Sequence, residues 1–261
     1  MPQLSIAIVC KNNERTLPRV LEAVRPIVFS TGGEIVAVDS GSTDGTIALL
    51  EAAGARVLRS VWLGHVKTKQ FALEQCVSPW VLCLDSDEPP TAELAASIVR
   101  AVQEDNPAVV GYRVNRKIWY QGRPLEHAWQ PEWRLRLVRK GRCHWTGRDP
   151  HDRMEPLDGG IVRDISGALR HDSFETFGEH LGKQVAHSRT AAASALAAGQ
   201  RGSRLRLLTS PLGAFFKQIV LKQAWRDGIP GWLAAGTAAT GALMKHMMLL
   251  EGGEGNKKEG P

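Results

Sequence analysis

The run LCLDSDEPP, residues 82–90, places Asp85, Asp87 and Glu88 behind an apolar segment and ahead of two prolines that stop a strand from continuing. Two aspartates one residue apart at a strand end face the same side and can share a hard divalent cation. Oxygen ligands suit Mg2+ or Mn2+, ions that keep several waters and bridge to substrate phosphates. The implied chemistry is that of a diphosphate site. An acidic turn alone is most often just solvated, so the pair gains weight from a second one, VAVDSGSTDGT at residues 36–46. There Asp39 closes an apolar run, and its carboxylate is expected to project from a sheet edge into a crevice and accept hydrogen bonds from a base N–H or a ribose hydroxyl. Ser42, Thr43 and Asp44 are the residue types that cap a helix N-terminus. A dinucleotide fingerprint is excluded, because KNNERTL follows the first apolar run and contains no glycine.

Cationic partners for a diphosphate are also present. Val66, Lys69, Leu73 and Cys76 fall on one stripe of a helix expected from His65 to Cys76. A lysine on a buried stripe needs an anion; the other reading is that its stem packs while its ammonium reaches solvent. Trp62 is either a core residue or one wall of a nucleotide pocket. In WRLRLVR, Arg134 and Arg136 alternate with Leu135 and Leu137, so a regular strand sets both arginines on one face, either to grip anions or simply to be solvated. His171 ends the run ISGALRH and is either a metal or pyrophosphate ligand or a structural histidine.

These residues must be positioned by a fold, and its elements are legible. Strand-like runs LSIAIVC from Leu4, EIVAVD from Glu34, ARVL from Ala55 and WVLCLD ending at Asp85 alternate with helical patterns at Arg15 to Val28, Thr46 to Ala53, His65 to Cys76 and Thr91 to Glu104. Such alternation predicts an α/β fold with a mostly parallel sheet flanked by helices, and ligands bind beyond the carboxyl ends of such strands. After VVGYRVNRK the runs shorten and become rich in Trp and Arg through Arg148, which predicts an antiparallel extension forming a second wall of the cleft. From Phe174 onward the pattern is helical, with AAGQRGSRLR as a linker or loop. The expected division is therefore 1–172 as the catalytic domain, 173–250 as a helical region, and 251–261, EGGEGNKKEGP, as a disordered tail.

Composition narrows the class. The chain has 261 residues, 43% of them hydrophobic, enough for a full core, and a net charge of +6 that suits phosphate-rich ligands or an anionic membrane surface. Its four cysteines include no C-x-x-C pair, which fits a reducing cytoplasm, and MPQLSIAIVCKNNER has neither the basic start nor the long apolar stretch of a secretory signal. The most apolar window, GWLAAGTAATGALM at 231–244, is interrupted by Lys245 and His246, short of the roughly 20 residues a spanning helix needs. In LGAFFKQIVLKQAW, Leu212, Phe215, Phe216, Ile219 and Val220 form an apolar stripe with Lys217 and Lys222 off it. That stripe either packs on the catalytic domain or approaches lipid. A nucleic-acid module built on RGSRLR leaves the acidic turns without a purpose, and no nucleic acid is expected as partner.

LSIAIVCKNNERTL, VAVDSGSTDGT and LCLDSDE resemble the nucleotide-sugar-binding motifs of family 2 glycosyltransferases with the GT-A, Rossmann-like fold. The downstream runs RLRLVRKGRCHWTGRDPHDRM, ISGALRHDSFETFGEHLGKQVAHS and KQAWRDGIPGW are similar to the lipopolysaccharide core β-glucosyltransferase branch. The resemblance implies that Asp39 contacts the nucleobase or ribose, that Asp85 lies near ribose and metal, and that Asp87 coordinates Mg2+ or Mn2+; His171 is added as a candidate ligand from its place at a strand end, not from the resemblance. Lys69 and Arg134 are assigned to the nucleotide sugar. In transfer with inversion an acceptor hydroxyl attacks the anomeric carbon, and a carboxylate takes its proton. In WTGRDPHDRM the choices are Asp152 and then Asp149; Asp152 stands where the related enzymes have Glu, one methylene shorter. The implied donor is a UDP-sugar, with glucose first. The implied acceptor is a saccharide or lipid-linked saccharide of the cell envelope, reached by a cytoplasmic protein lying peripherally on the inner face of the membrane. A transferase acting on polyprenyl phosphate, or an inactive glycan-binding relative, shares the same donor turns.

Overall fold

LSIAIVC forms β1 (Leu4–Cys10), all but one of whose residues are buried. It pairs in parallel with β2 (Glu34–Asp39) on one side and β4 (Trp80–Asp85) on the other. Continuous burial is what a parallel strand covered on both faces requires. The register sets Cys10 opposite Asp39 and Val9 opposite Asp85, so both acidic turns leave the same edge of the sheet, one on each side of β1. β3 (Arg56–Arg59) extends the parallel part beyond β2, whereas β7 (Trp133–Arg139) and β5 (Val109–Tyr120) continue the sheet antiparallel beyond β4. With β10 (Ile161–His171) at the margin, the order is β10-β5-β7-β4-β1-β2-β3. The strand order reverses at β1, where open α/β sheets bind their ligands.

The computed structural model describes residues 3–149, 151–172 and 174–255. Two units are distinguished: Met1–Arg116 with Glu132–Gly147 and His151–Asp172, and Lys117–Pro131 with Arg148–Pro150 and Ser173–Pro261. In the first unit α1 (Leu17–Thr31) and α4 (Ala92–Glu104) cover one sheet face, packing Val20, Val24, Leu94 and Ile98 against Ile6 and Ile8. On the other face lie α3 (His65–Gln75) and a two-stranded sheet of β8 (Cys143–Arg148) and β9 (His151–Pro156). They bring Leu73, Trp145 and Met154 against Ala7, Val38 and Cys83. A short α2 (Thr46–Ala52) follows the first acidic turn.

The mixed α/β architecture and the antiparallel extension are those expected from the sequence. α1 begins two residues late and ends three residues late. Pro18 sits in its first turn, and Gly32, at φ +56°, supplies the left-handed residue that ends it. The strands β9 and β10 run further than the pattern announced, because HDRMEP and IVRDISGALRH carry charges where a half-buried strand shows apolar alternation.

The second unit is helical apart from β6 (Arg123–Pro124), which pairs with the end of β5. α5 (Phe177–Ala197) and α6 (Arg204–Phe216) both pack on α7 (Ile229–Gly255). The expected stripe does not lie on one continuous α-helix: α6 passes into a π-helical turn, Lys217–Leu221, and then a 3-10 turn, Ala224–Asp227. Asp227 fastens a preceding loop, accepting the backbone N–H groups of Glu126, His127 and Ala128. α7 continues to Gly255, so of the tail expected to be disordered only residues 256–261 lie outside the described residues.

Candidate active site

The first acidic turn is organised around Asp39, whose side chain turns inward. Its Oδ2 accepts the N–H groups of Gly41 and Ser42, each at 3.0 Å, and its Oδ1 accepts the Ser42 hydroxyl. The Cys10 thiol donates to Oδ1 from the other side. The carboxylate is thus engaged within its own turn, and the reason is local: Gly41, at φ +92°, curls the turn back over Asp39. What faces outward is a cavity of about 300 Å3 between this turn and the end of β3, with Arg59 and Ser60 beside Asp39 and Ser42. Asp44 plays the capping part expected of it, accepting the N–H groups of Glu14 and Thr46. Trp62 is half exposed and meets His65 edge-on at 4.8 Å, so it is not a core residue.

The second turn is pinned from three directions. Glu88 Oε2 accepts the N–H of Asp85, Asp87 O accepts the N–H of Asp172, and Pro90 bridges to Leu169 of β10. Asp85 and Asp87 then divide their partners. Asp87 Oδ2 lies 3.5 Å from His171 Nε2. Asp85 lies under Lys69, whose Nζ is 2.8 Å from Oδ1 and 3.0 Å from Oδ2. The same ammonium reaches Asp152 Oδ2 at 2.9 Å and stands 4.9 Å above the Trp145 ring. Three residues singled out from the sequence thus meet in one cluster, and a fourth, Asp87, belongs to the same turn. Lys69 does not snorkel; it is 7% exposed.

Arg134 is not in this cluster. It pairs with Glu132 at 2.6 Å and is 39% exposed on its side chain. Arg136 occupies the place instead, 2.7 Å from Glu88 Oε1 and 3.3 Å from Asp85 Oδ2, with its guanidinium 5.4 Å from the Trp145 ring. The cause is a break in alternation. Opposite β5, Tyr112 pairs with Leu137 and Arg113 with Leu135, which leaves Arg136 as the extra residue of a bulge. A bulged residue is re-aimed relative to its neighbours, so the two arginines part company. Glu88 is fully buried between Arg136 and Arg116, the latter at 3.0 Å, and Arg116 also holds Glu132 at 2.6 Å. Glu88 is visible in the sequence only as a third carboxylate without a role, and Arg116 and Trp145 carry no individual signal; a search for cations to neutralise a buried Glu88 is what finds the arginines. Asp149 belongs to the second unit, where its carbonyl accepts the Ser194 hydroxyl.

The charges set the titration. Burial alone raises the Asp85 carboxyl, but Lys69, Arg136 and Arg116 outweigh it and hold it far below the usual range. Burial likewise raises Asp87, and the His171 charge and hydrogen bond bring it below its ordinary value. For Glu132, Arg116 and then Arg134 overcome burial and set the carboxyl at about 2, against an ordinary 4.5. A folded value below the unfolded one stabilises the fold above the unfolded value, and that stabilisation is lost as pH falls through the folded one. Urea midpoints taken between pH 5 and pH 2 therefore fall steeply, and Glu132→Gln flattens that slope by about one proton.

Among the described residues no three His, Cys, Asp or Glu side chains converge to hold a metal by themselves. Asp87 and His171 offer one carboxylate oxygen and one imidazole nitrogen, and the buried Nδ1 of His171 has no hydrogen-bond partner among the described residues. Two protein ligands, with the rest from phosphate and water, fit the way Mg2+ and Mn2+ are held beside nucleotides.

An acidic turn thus leaves the sheet on each side of β1, with a cavity against the first and buried cations against the second. The chain belongs to glycosyl transferase family 2, whose family model matches residues 5–163, and the mostly parallel sheet described above is the one expected of the GT-A fold. It is a glycosyltransferase with a relative in lipopolysaccharide core biosynthesis. That relative is the lipopolysaccharide core biosynthesis glycosyltransferase LpsC of Rhizobium meliloti, 31% identical over 255 residues, covering 92% of this chain and 89% of the relative. An uncharacterized glycosyltransferase of Rickettsia typhi is 27% identical over 242 residues, covering 89% and 82%. Among solved structures, glucosyl-3-phosphoglycerate synthase from Mycobacterium tuberculosis, in complex with Mn2+, UDP and glucosyl-3-phosphoglycerate, is 25% identical with a TM-score of 0.37, covering 46% of this chain and 45% of that one.

Proposed function

We propose that the chain transfers a hexose, with inversion, from a UDP-sugar, foremost UDP-glucose, to a saccharide or lipid-linked saccharide of the cell envelope. The observation that supports this most is the single ammonium of Lys69 joining Asp85 of the donor turn to Asp152. It ties the carboxylate that would accept a proton to the edge where the donor would lie. In this reading the acceptor hydroxyl oxygen forms a bond to the anomeric carbon while the bond from that carbon to the diphosphate oxygen breaks. The proton passes to Asp152, whose Oδ2 is held by Lys69. In this reading Lys69 and Arg136 would be the cations nearest the departing diphosphate, and their buried positions would strengthen that attraction. Mg2+ or Mn2+ held by Asp87 and His171 would neutralise charge on the leaving group. The acceptor would bring the protein to the inner face of the cytoplasmic membrane as a peripheral partner.

A panel of nucleotide sugars with Mn2+ or Mg2+, read by released nucleoside diphosphate, tests the donor; core saccharides against polyprenyl phosphates test the acceptor. Asp152→Asn lowers kcat by about 10²-fold or more while donor affinity stays within about threefold, as expected for loss of a general base. A larger loss in Asp149→Asn would transfer that role to Asp149, and donor binding without turnover by any acceptor would leave only the glycan-binding reading.

A further inference from the structure

In the second unit, α6 carries its apolar stripe on the wrong side for a packed helix. Leu205, Leu208, Leu212, Phe216 and Val220 recur every three or four residues, and they are 70, 70, 61, 58 and 59% exposed. A different side of α6 meets α7, where the Phe215 ring lies 6.2 Å from that of Trp232. Scattered exposed leucines need no explanation, but five in one row form a continuous patch. The turns after α6 prolong it: Leu221, Trp225 and Ile229 are each more than half exposed.

The charges around the stripe choose what covers it. At about 100° per residue, Arg204 and Arg206 flank Leu205 on either side and Lys217 flanks Phe216, so their stems run beside the stripe with the cations at its margins. Residues 201–250 contain seven Lys and Arg and one acid, Asp227. That acid is occupied by the loop it fastens and by the His127 ring. Arg204, Lys217 and Lys222 have no acidic partner among the described residues. A second copy seated on this face about a two-fold axis would bring a surface of the same positive charge against these cations, with Asp227 its one acid in residues 201–250. A surface of negative headgroups over hydrocarbon instead matches both features, and Trp225 and Trp232, each about half exposed, are suited to headgroup depth. Among the described residues no helix is long and apolar enough to cross a membrane.

We propose that the α6 stripe and the turns that follow it are a docking surface for an anionic phospholipid bilayer, on which the protein lies without spanning it. This deepens the proposed function by naming the surface that would meet the membrane, and its test does not depend on turnover. The full chain is sedimented with vesicles of phosphatidylcholine alone and of phosphatidylcholine mixed with phosphatidylglycerol, at low and at raised salt. Binding is expected to be about tenfold or more tighter to the anionic vesicles and to weaken as salt screens the cations. Leu208→Asp with Leu212→Asp reduces binding about tenfold or more to both kinds of vesicle. Arg204→Gln with Arg206→Gln and Lys217→Gln reduces it on anionic vesicles alone. Circular dichroism and urea midpoints, both unchanged, confirm that the variants fold. Equal binding to both vesicles, variants that bind as the parent does, or a dimer that the leucine variant dissolves would overturn the proposal. Vesicle binding with no turnover of any nucleotide sugar sustains this surface and removes the catalytic reading; turnover with no vesicle binding does the reverse.

Discussion

Replacing Asp87 by alanine lowers divalent-dependent release of nucleoside diphosphate by about 10³-fold or more in kcat/KM, equivalent to roughly 4 kcal/mol of transition-state stabilisation. In the proposed reading this carboxylate would hold the cation together with His171, 3.5 Å away, which could not anchor a hard ion alone. The backbone of the turn survives the change, because Asp87 O is held by the N–H of Asp172 and Glu88 braces Asp85 from within. Loss of activity should therefore come without loss of fold. Calorimetry separates the two: the parent binds UDP more tightly with Mn2+ than without it, and Asp87→Ala binds it equally weakly in both cases. Turnover that is unaffected by the substitution, or by a chelator in the parent, would remove the metal from Asp87.

The largest stability effect is expected at Glu88→Gln. The native carboxylate is fully buried, with the guanidinium of Arg136 at 2.7 Å and that of Arg116 at 3.0 Å on the same oxygen. A neutral amide of the same size leaves Arg136, itself 4% exposed, with Asp85 at 3.3 Å as its remaining counter-ion. Breaking a buried ionic group by removing one partner costs about 3–5 kcal/mol, a large share of the roughly 5–15 kcal/mol that holds a domain together. Urea denaturation measures it directly. Adding Arg136→Met to Glu88→Gln should restore part of the loss, since it removes the stranded cation along with its anion. A Glu88→Gln protein within about 1 kcal/mol of the parent would mean that water reaches this oxygen and that the arginines never depended on it.

The parallel half of the sheet was readable because its strands are short, buried runs separated by amphipathic helices, so period and length agree. Asp85, Asp87 and Lys69 were readable for a related reason: each is a charge where the local pattern calls for an apolar residue or a strand end. Two features were not legible, and both depend on backbone detail. The inward turn of Asp39 follows from the left-handed Gly41, and the exchange of Arg134 for Arg136 follows from one unpaired residue in β7. Strict alternation is the only rule a sequence offers for a strand, and a bulge is the exception that alternation cannot announce. The part played by Glu88 escaped because its partners, Arg116 and Arg136, are distant in the chain.

That unpaired residue ties the length of β7 to the charge balance around Asp85 and Glu88. Shortening the strand by one position ahead of Leu137 would let it run in even step with β5, a gain in ladder regularity. The same shortening would leave no odd position from which a guanidinium could be aimed at Asp85 and Glu88. Here the better-paired sheet would leave Asp85 and Glu88 without that counter-ion, so an insertion or deletion in β7 changes electrostatics as well as shape.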